Sequence, residues 1–131
     1  MVNLNNKEYV CPVDVTLGLI GGKWKLLILY YLNHFEKHSY SEFKADLPGV
    51  SEKMLSQQLK ELERDLLIGK NQLSLKPHRV EYYLTEQGKS LTPLLQFIGK
   101  WGLDYLKKND IPYEYIRNGV CIFKSEAETV I

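Results

Sequence analysis

Ser51, Lys53, Ser56, Gln57 and Lys60 stand within "PGVSEKMLSQQLKELERD", residues 48–65, as two hydroxyls, two ammonium groups and an amide. Together they suit an anionic partner that also carries base edges. A Gln amide can bridge adenine, and Lys can reach guanine or phosphate. Hydroxyls and further lysines suit sugar–phosphate oxygens. Met54 on the same turns could touch a thymine methyl or pack beneath them. A second basic group, Lys76, His78 and Arg79, suits phosphates or a minor groove. By periodicity alone, the helix face could equally be a solvated surface. His34, His38 and His78 have neither helical nor Cys-x-x-His spacing, so no metal site is expected. Nothing orients a Cys–His nucleophilic pair, so neither catalysis nor a cofactor is expected.

Cys11 is the other reactive group. It precedes Pro12, which suits the first position of a helix because its missing N–H is unused there. That places Cys11 at or beside an N-cap, where unpaired N–H groups favour a thiolate. The competing reading is a small buried hydrophobe. Cys121 lies far away, and the two form no Cys-x-x-Cys pattern. The N-terminus "MVNLNNKEYV" lacks the apolar stretch of a signal peptide. The run "LLILYYL" is too short to span a bilayer. A reducing cytoplasm without membrane association is therefore expected, where a disulfide would act as a signal.

Those groups need elements to hold them. Leu55, Leu59, Leu62 and Leu66 repeat at helical spacing, which predicts a helix over 52–66 with one buried stripe and Ser51 as its N-cap. Pro48 and Gly49 stop a brief preceding helix, about 41–47, with a one-rung strand near Tyr40. Val13, Leu17 and Ile20 form a short helical stripe that Gly21 and Gly22 end. "KWKLLILYYLNHF" is apolar nearly all round and reads as a central helix. "LIGKNQLSL" and "RVEYYLT", separated by "KPH", predict a hairpin with a basic tip. Leu91, Leu94, Leu95, Ile98, Trp101 and Tyr105 then line one side of a last helix, which Pro93 either bends or begins. Residues 109–131 show no firm period. The order predicts a mainly α fold with a small β-hairpin wing (α+β), a winged helix-turn-helix. Its helix 52–66 would enter a major groove.

Length and charge are consistent with that outline and do not single it out. The 131 residues suit one domain. Seventeen basic against sixteen acidic residues give +1, so bulk charge does not identify a nucleic-acid binder. The modest basic excess lies within 51–80.

"CPVDVTLGLIGGKWKLLILYYL", "PGVSEKMLSQQLKELERD" and "RVEYYLTEQGKSL" resemble the HxlR-type transcriptional regulators, relatives of the MarR group. The resemblance spans roughly residues 9–107. It implies a non-catalytic homodimer on double-stranded DNA, joined through its first and last helices. Val13, Leu17, Leu94, Leu95, Ile98, Trp101 and Tyr105 would form that interface. It implies a winged helix-turn-helix domain over 1–108, followed by a tail of unassigned structure at 109–131. Several members sense electrophiles or oxidants through a cysteine before "PV", here Cys11. The expected function is a repressor on an inverted-repeat operator, with a small electrophile or oxidant as effector. A regulator answering to an apolar ligand and a protein-binding winged helix are the alternatives. The chain departs from the family in "LSLKPHR" ahead of the second strand, and in Leu66, where glycine is usual.

Overall fold

Two helices, Pro12–Ile20 (α1) and Lys23–Phe35 (α2), open the helical part of the computed structural model. The structure describes the backbone of residues 1–75, 78–117 and 120–124, and side chains of residues 1–73 and 79–114. It divides into two units, Met1–Thr92 and Pro93–Ile131. In the first, α2 is central as its composition dictates: Ile28, Leu29, Tyr31 and Leu32 are buried. Strand Lys37–Ser39 (β3) leads into helix Tyr40–Asp46 (α3). A reciprocal pair of hydrogen bonds starts α3. Ser39 Oγ accepts from the Glu42 N–H, and the Ser39 N–H donates to Glu42 Oε1. Gly49, at φ +87°, makes the turn that follows Pro48, and Lys44 Nζ donates to the Val50 carbonyl across it at 2.7 Å. Helix Glu52–Arg64 (α4) then begins at Ser51, whose Oγ accepts from the Met54 N–H at 3.0 Å.

Leu55, Leu59 and Leu62 of α4 pack into the core beside Phe43, Leu47 and the α2 leucines. Each such side chain contributes roughly 1.5–3 kcal/mol of burial. The expected helix over 52–66 ends two residues early. Leu66 is not part of the buried stripe: it lies at φ +61° and is 66% exposed. The Leu67 N–H bonds the Leu62 carbonyl and the Leu66 N–H bonds the Glu63 carbonyl. That closing pattern needs a left-handed residue at position 66, and it explains why glycine is usual there.

Strands Ile68–Leu75 (β4) and His78–Leu84 (β5) form the expected hairpin, and β5 also pairs with β3. The antiparallel sheet has the order β3-β5-β4. Helix Glu86–Lys89 (α5) is capped by Thr85, and helix Thr92–Lys108 (α6) follows. Pro93 therefore marks a helix start and does not bend one. The architecture is mainly helical with a small antiparallel wing. An N-terminal hairpin, Val2–Leu4 (β1) with Lys7–Tyr9 (β2), was not anticipated. Asn5 and Asn6, both at positive φ, form its turn, and its Tyr9 ring lies against Gly18 of α1, where a Cβ would come within 2.6 Å of the ring.

The second unit contains α6 and a hairpin in the tail, Glu114–Arg117 (β6) with Val120–Lys124 (β7). Leu94, Phe97, Ile98, Trp101 and Tyr105 of α6 are exposed, with Trp101 and Tyr105 stacked at 5.6 Å. Leu95, expected on the same open face, is instead buried within the chain at 2% exposure. No single helix among the described residues is long and apolar enough to cross a membrane.

Candidate nucleic-acid interface

The amphipathic period of α4 separates its two faces cleanly. With Leu55, Leu59 and Leu62 turned inward, Ser51, Lys53, Met54, Gln57 and Lys60 are all exposed and Ser56 is half-buried. Met54, left open between two roles, is on the outer face at 38% exposure. Ser51 is committed to the cap. Ser56 is held from the neighbouring helix: the Tyr40 hydroxyl lies 3.3 Å from Ser56 Oγ and donates to the Glu52 carbonyl at 3.2 Å.

A cleft of about 360 Å³ opens between α4 and the wing. Ser39, Tyr40 and Ser41, Ser56 and Lys60 of α4, and Lys70 and Arg79 of the wing are among the residues that line it. Lys70 shares its charge with Glu63 at 3.6 Å and stays half exposed. Three cations against one carboxylate, ringed by hydroxyls, make a surface for a diffuse anion such as a phosphodiester. Tyr40, Ser41 and Lys70 were not anticipated, because only the fold brings them beside Ser56 and Arg79. Of the expected wing residues, Arg79 is exposed at the base of the hairpin tip. Lys76 and the side chain of His78 lie outside the described residues.

Beneath the outer face lies an ion pair. Lys25 of α2 is buried, and its Nζ donates to Glu61 Oε1 of α4 at 2.7 Å. That bond, with the attraction of the ammonium, holds the Glu61 carboxyl below the usual carboxylate range against a smaller opposing effect of burial. His38 of β3 and Asp46 of α3 form a buried hydrogen bond of 2.9 Å between Nε2 and Oδ2. His38 stacks on Phe35 and meets Phe43 edge-on, which places it in the core. Among the described residues, no group of His, Cys, Asp and Glu could hold a metal.

Cys11 is the N-cap of α1, with Pro12 following, and is a half-buried free thiol. The Asp14 carboxylate beside it accepts from the Val10 N–H at 2.9 Å. Val13 and Leu17 are 66% and 61% exposed, so α1 presents an uncovered apolar edge. The side chain of Cys121 lies outside the described residues.

The profile of the HxlR-like helix-turn-helix family matches residues 19–110. The chain belongs to the HxlR family. It is accordingly a winged helix-turn-helix transcriptional regulator and not an enzyme. This HxlR-family chain is 48% identical over 92 residues to the HTH-type transcriptional regulator YdzF of Bacillus subtilis (strain 168), covering 70% of this chain and 84% of YdzF. It is 41% identical over 105 residues to YtcD of the same organism, covering 80% of this chain and 82% of YtcD. Among solved structures, the redox regulator HypR in its reduced form superposes with a TM-score of 0.70 at 35% identity, covering 76% of this chain and 98% of HypR.

Proposed function

We propose that this HxlR-family protein is a homodimeric repressor that binds an inverted-repeat operator and releases it when Cys11 is modified. The observation that carries the reading is the outer face of α4 with its adjoining basic cleft. Gln57, Lys53 and Met54 face outward for base edges, while Lys60, Lys70 and Arg79 surround a space suited to a backbone phosphate. Lys76 and His78 would extend the same contact along the wing. Two copies joined through the exposed apolar residues of α1 and α6 would present two such helices about one DNA turn apart.

The sensing part rests on different support. Cys11 caps the helix that carries Val13 and Leu17, so an adduct there would disturb α1 where the partner copy would pack. HypR, similar to this chain over most of its length, is described as a redox regulator in both oxidised and reduced forms. A crosslink from Cys11 to Cys121 of the second copy would be one route, and an adduct on Cys11 alone another.

Titration of a labelled operator at several salt concentrations tests the DNA reading. Affinity should fall steeply with salt, and Arg79→Ala should weaken specific and random duplexes alike while lowering the slope of log K against log salt by about 1. Affinity independent of salt would favour the protein-binding alternative.

A further inference from the structure

Tyr40 stands where the wing and two helices meet. It is the first residue of α3. Ser39 before it pairs with Glu81 in the ladder between β3 and β5, which ties the Tyr40 backbone to the wing. The reciprocal bonds between Ser39 and Glu42 fix the same point from the helix side. From that anchored start the side chain reaches α4. Its hydroxyl lies 3.2 Å from the Glu52 carbonyl oxygen and 3.3 Å from Ser56 Oγ.

Chemistry assigns the hydrogens of this group. A carbonyl only accepts, so the phenol donates its one O–H to Glu52. The bond between the two hydroxyls then takes its hydrogen from Ser56, whose Oγ donates to Tyr40 Oη. Ser56 therefore spends its donor inside the protein. A phosphodiester oxygen, which also only accepts, finds no hydrogen on that side chain while the pair is intact. The half-buried place of Ser56, between buried Leu55 and exposed Gln57, agrees with a tie between helices.

We propose that Tyr40 and Ser56 are a positioning pair and not phosphate ligands. They hold the first two turns of α4, which carry Lys53 and Gln57, in place against α3 and the wing. They thereby set how sharply the protein separates its operator from other duplexes. This rests on the reading that α4 enters a major groove. Contacts to base edges are short and directional and need placement within about 0.5 Å. The attraction of Lys60, Lys70 and Arg79 to phosphates acts over a Debye length of about 8 Å and tolerates looser placement. Loosening the tie should therefore weaken the operator complex more than the random one.

The full-length protein is first used to select an operator from random duplexes. Binding to that operator and to a random duplex is then titrated at one salt concentration for wild type, Tyr40→Phe, Ser56→Ala and the double variant. The ratio of operator to random affinity should fall about threefold to tenfold in each single variant, the span expected for one hydroxyl bond. The double variant should match Tyr40→Phe within about twofold, because losing the phenol already breaks both bonds. Hydroxyls that each met a phosphate would instead weaken both duplexes by the same factor, and their losses would multiply. A role in stability alone would lower the melting temperature and leave the ratio at its wild-type value. If thermal melts show Tyr40→Phe unfolded, Ser56→Ala, which keeps the ring and its bond to Glu52, carries the test of the ratio. A selected operator whose ratio either single variant leaves unchanged, or losses that multiply, overturns this inference alone. A wild-type selection that yields no motif overturns the DNA reading and this inference with it.

Discussion

The Lys25–Glu61 bond should cost very different amounts to break from its two ends. At 2.7 Å it is a charge-assisted contact, but the Lys25 side chain is 7% exposed and that of Glu61 28%. Lys25→Met keeps the aliphatic stem and leaves a carboxylate that water can still reach, so the loss should be about 1–2 kcal/mol. Glu61→Leu strands a buried ammonium without its acceptor, so the loss should be about 3–5 kcal/mol. The double variant removes both charges and should recover most of the larger loss. Urea unfolding followed by circular dichroism, run as a double-mutant cycle, measures all three values. Equal costs for the single variants, or a double variant at the sum of both, would refute the account. The pH dependence has a fixed sign. Because Lys25 holds the Glu61 carboxyl below its ordinary value, the stabilisation is present above the unfolded-state range of glutamate. It is lost as pH falls through the folded-state value. Wild type should therefore lose more stability than Lys25→Met between about pH 5 and pH 3.

Leu66→Gly should stabilise the protein by about 0.5–1 kcal/mol. It removes the left-handed cost at φ +61° and sacrifices a side chain that is mostly exposed; a lower urea midpoint would contradict this. Gly88→Ala should destabilise by roughly 2 kcal/mol or more, since a Cβ there would overlap the Leu67 carbonyl oxygen, and a melting temperature within a degree or so of wild type would count against that close approach of α5 to Leu67. Treatment with a quinone or mild oxidant should release wild type from its operator, leave Cys11→Ser bound, and modify Cys11 before any other residue by mass spectrometry. Equal release of Cys11→Ser would remove Cys11 as the sensor.

The helix-turn-helix was legible because its signals are local. Ser51 and Pro48-Gly49 bracket the turn, and the leucines of α4 repeat at helical spacing. The same periodicity misled at Leu66, because an apolar residue can continue a stripe on paper after the backbone has left the helix. The N-terminal hairpin carried a usable signal in Asn5-Asn6, two residues that tolerate positive φ, but its strands of three residues are too short to show alternation. Lys25 was visible as a charge inside an apolar helix, while its partner stands 36 positions away and only packing of α2 on α4 reveals it. The basic cleft was half legible. Lys60 and Arg79 follow from the helix face and hairpin tip, whereas Tyr40 and Lys70 come from elements whose meeting no local pattern records. Phe97 lies off the expected stripe of α6 yet is 59% exposed, so the open face of that helix is broader than its leucines suggest.

Hydroxyl-radical footprinting of the protein on its selected operator tests the central claim most directly. A dimer that places one α4 in each of two major grooves should protect two half-sites related by inversion, with centres about 10–10.5 base pairs apart. Additional backbone protection should flank each half-site where the cleft of Lys60, Lys70 and Arg79 would sit, and it should be lost in Arg79→Ala. Protection of a single half-site, or of none at low salt, would contradict the account.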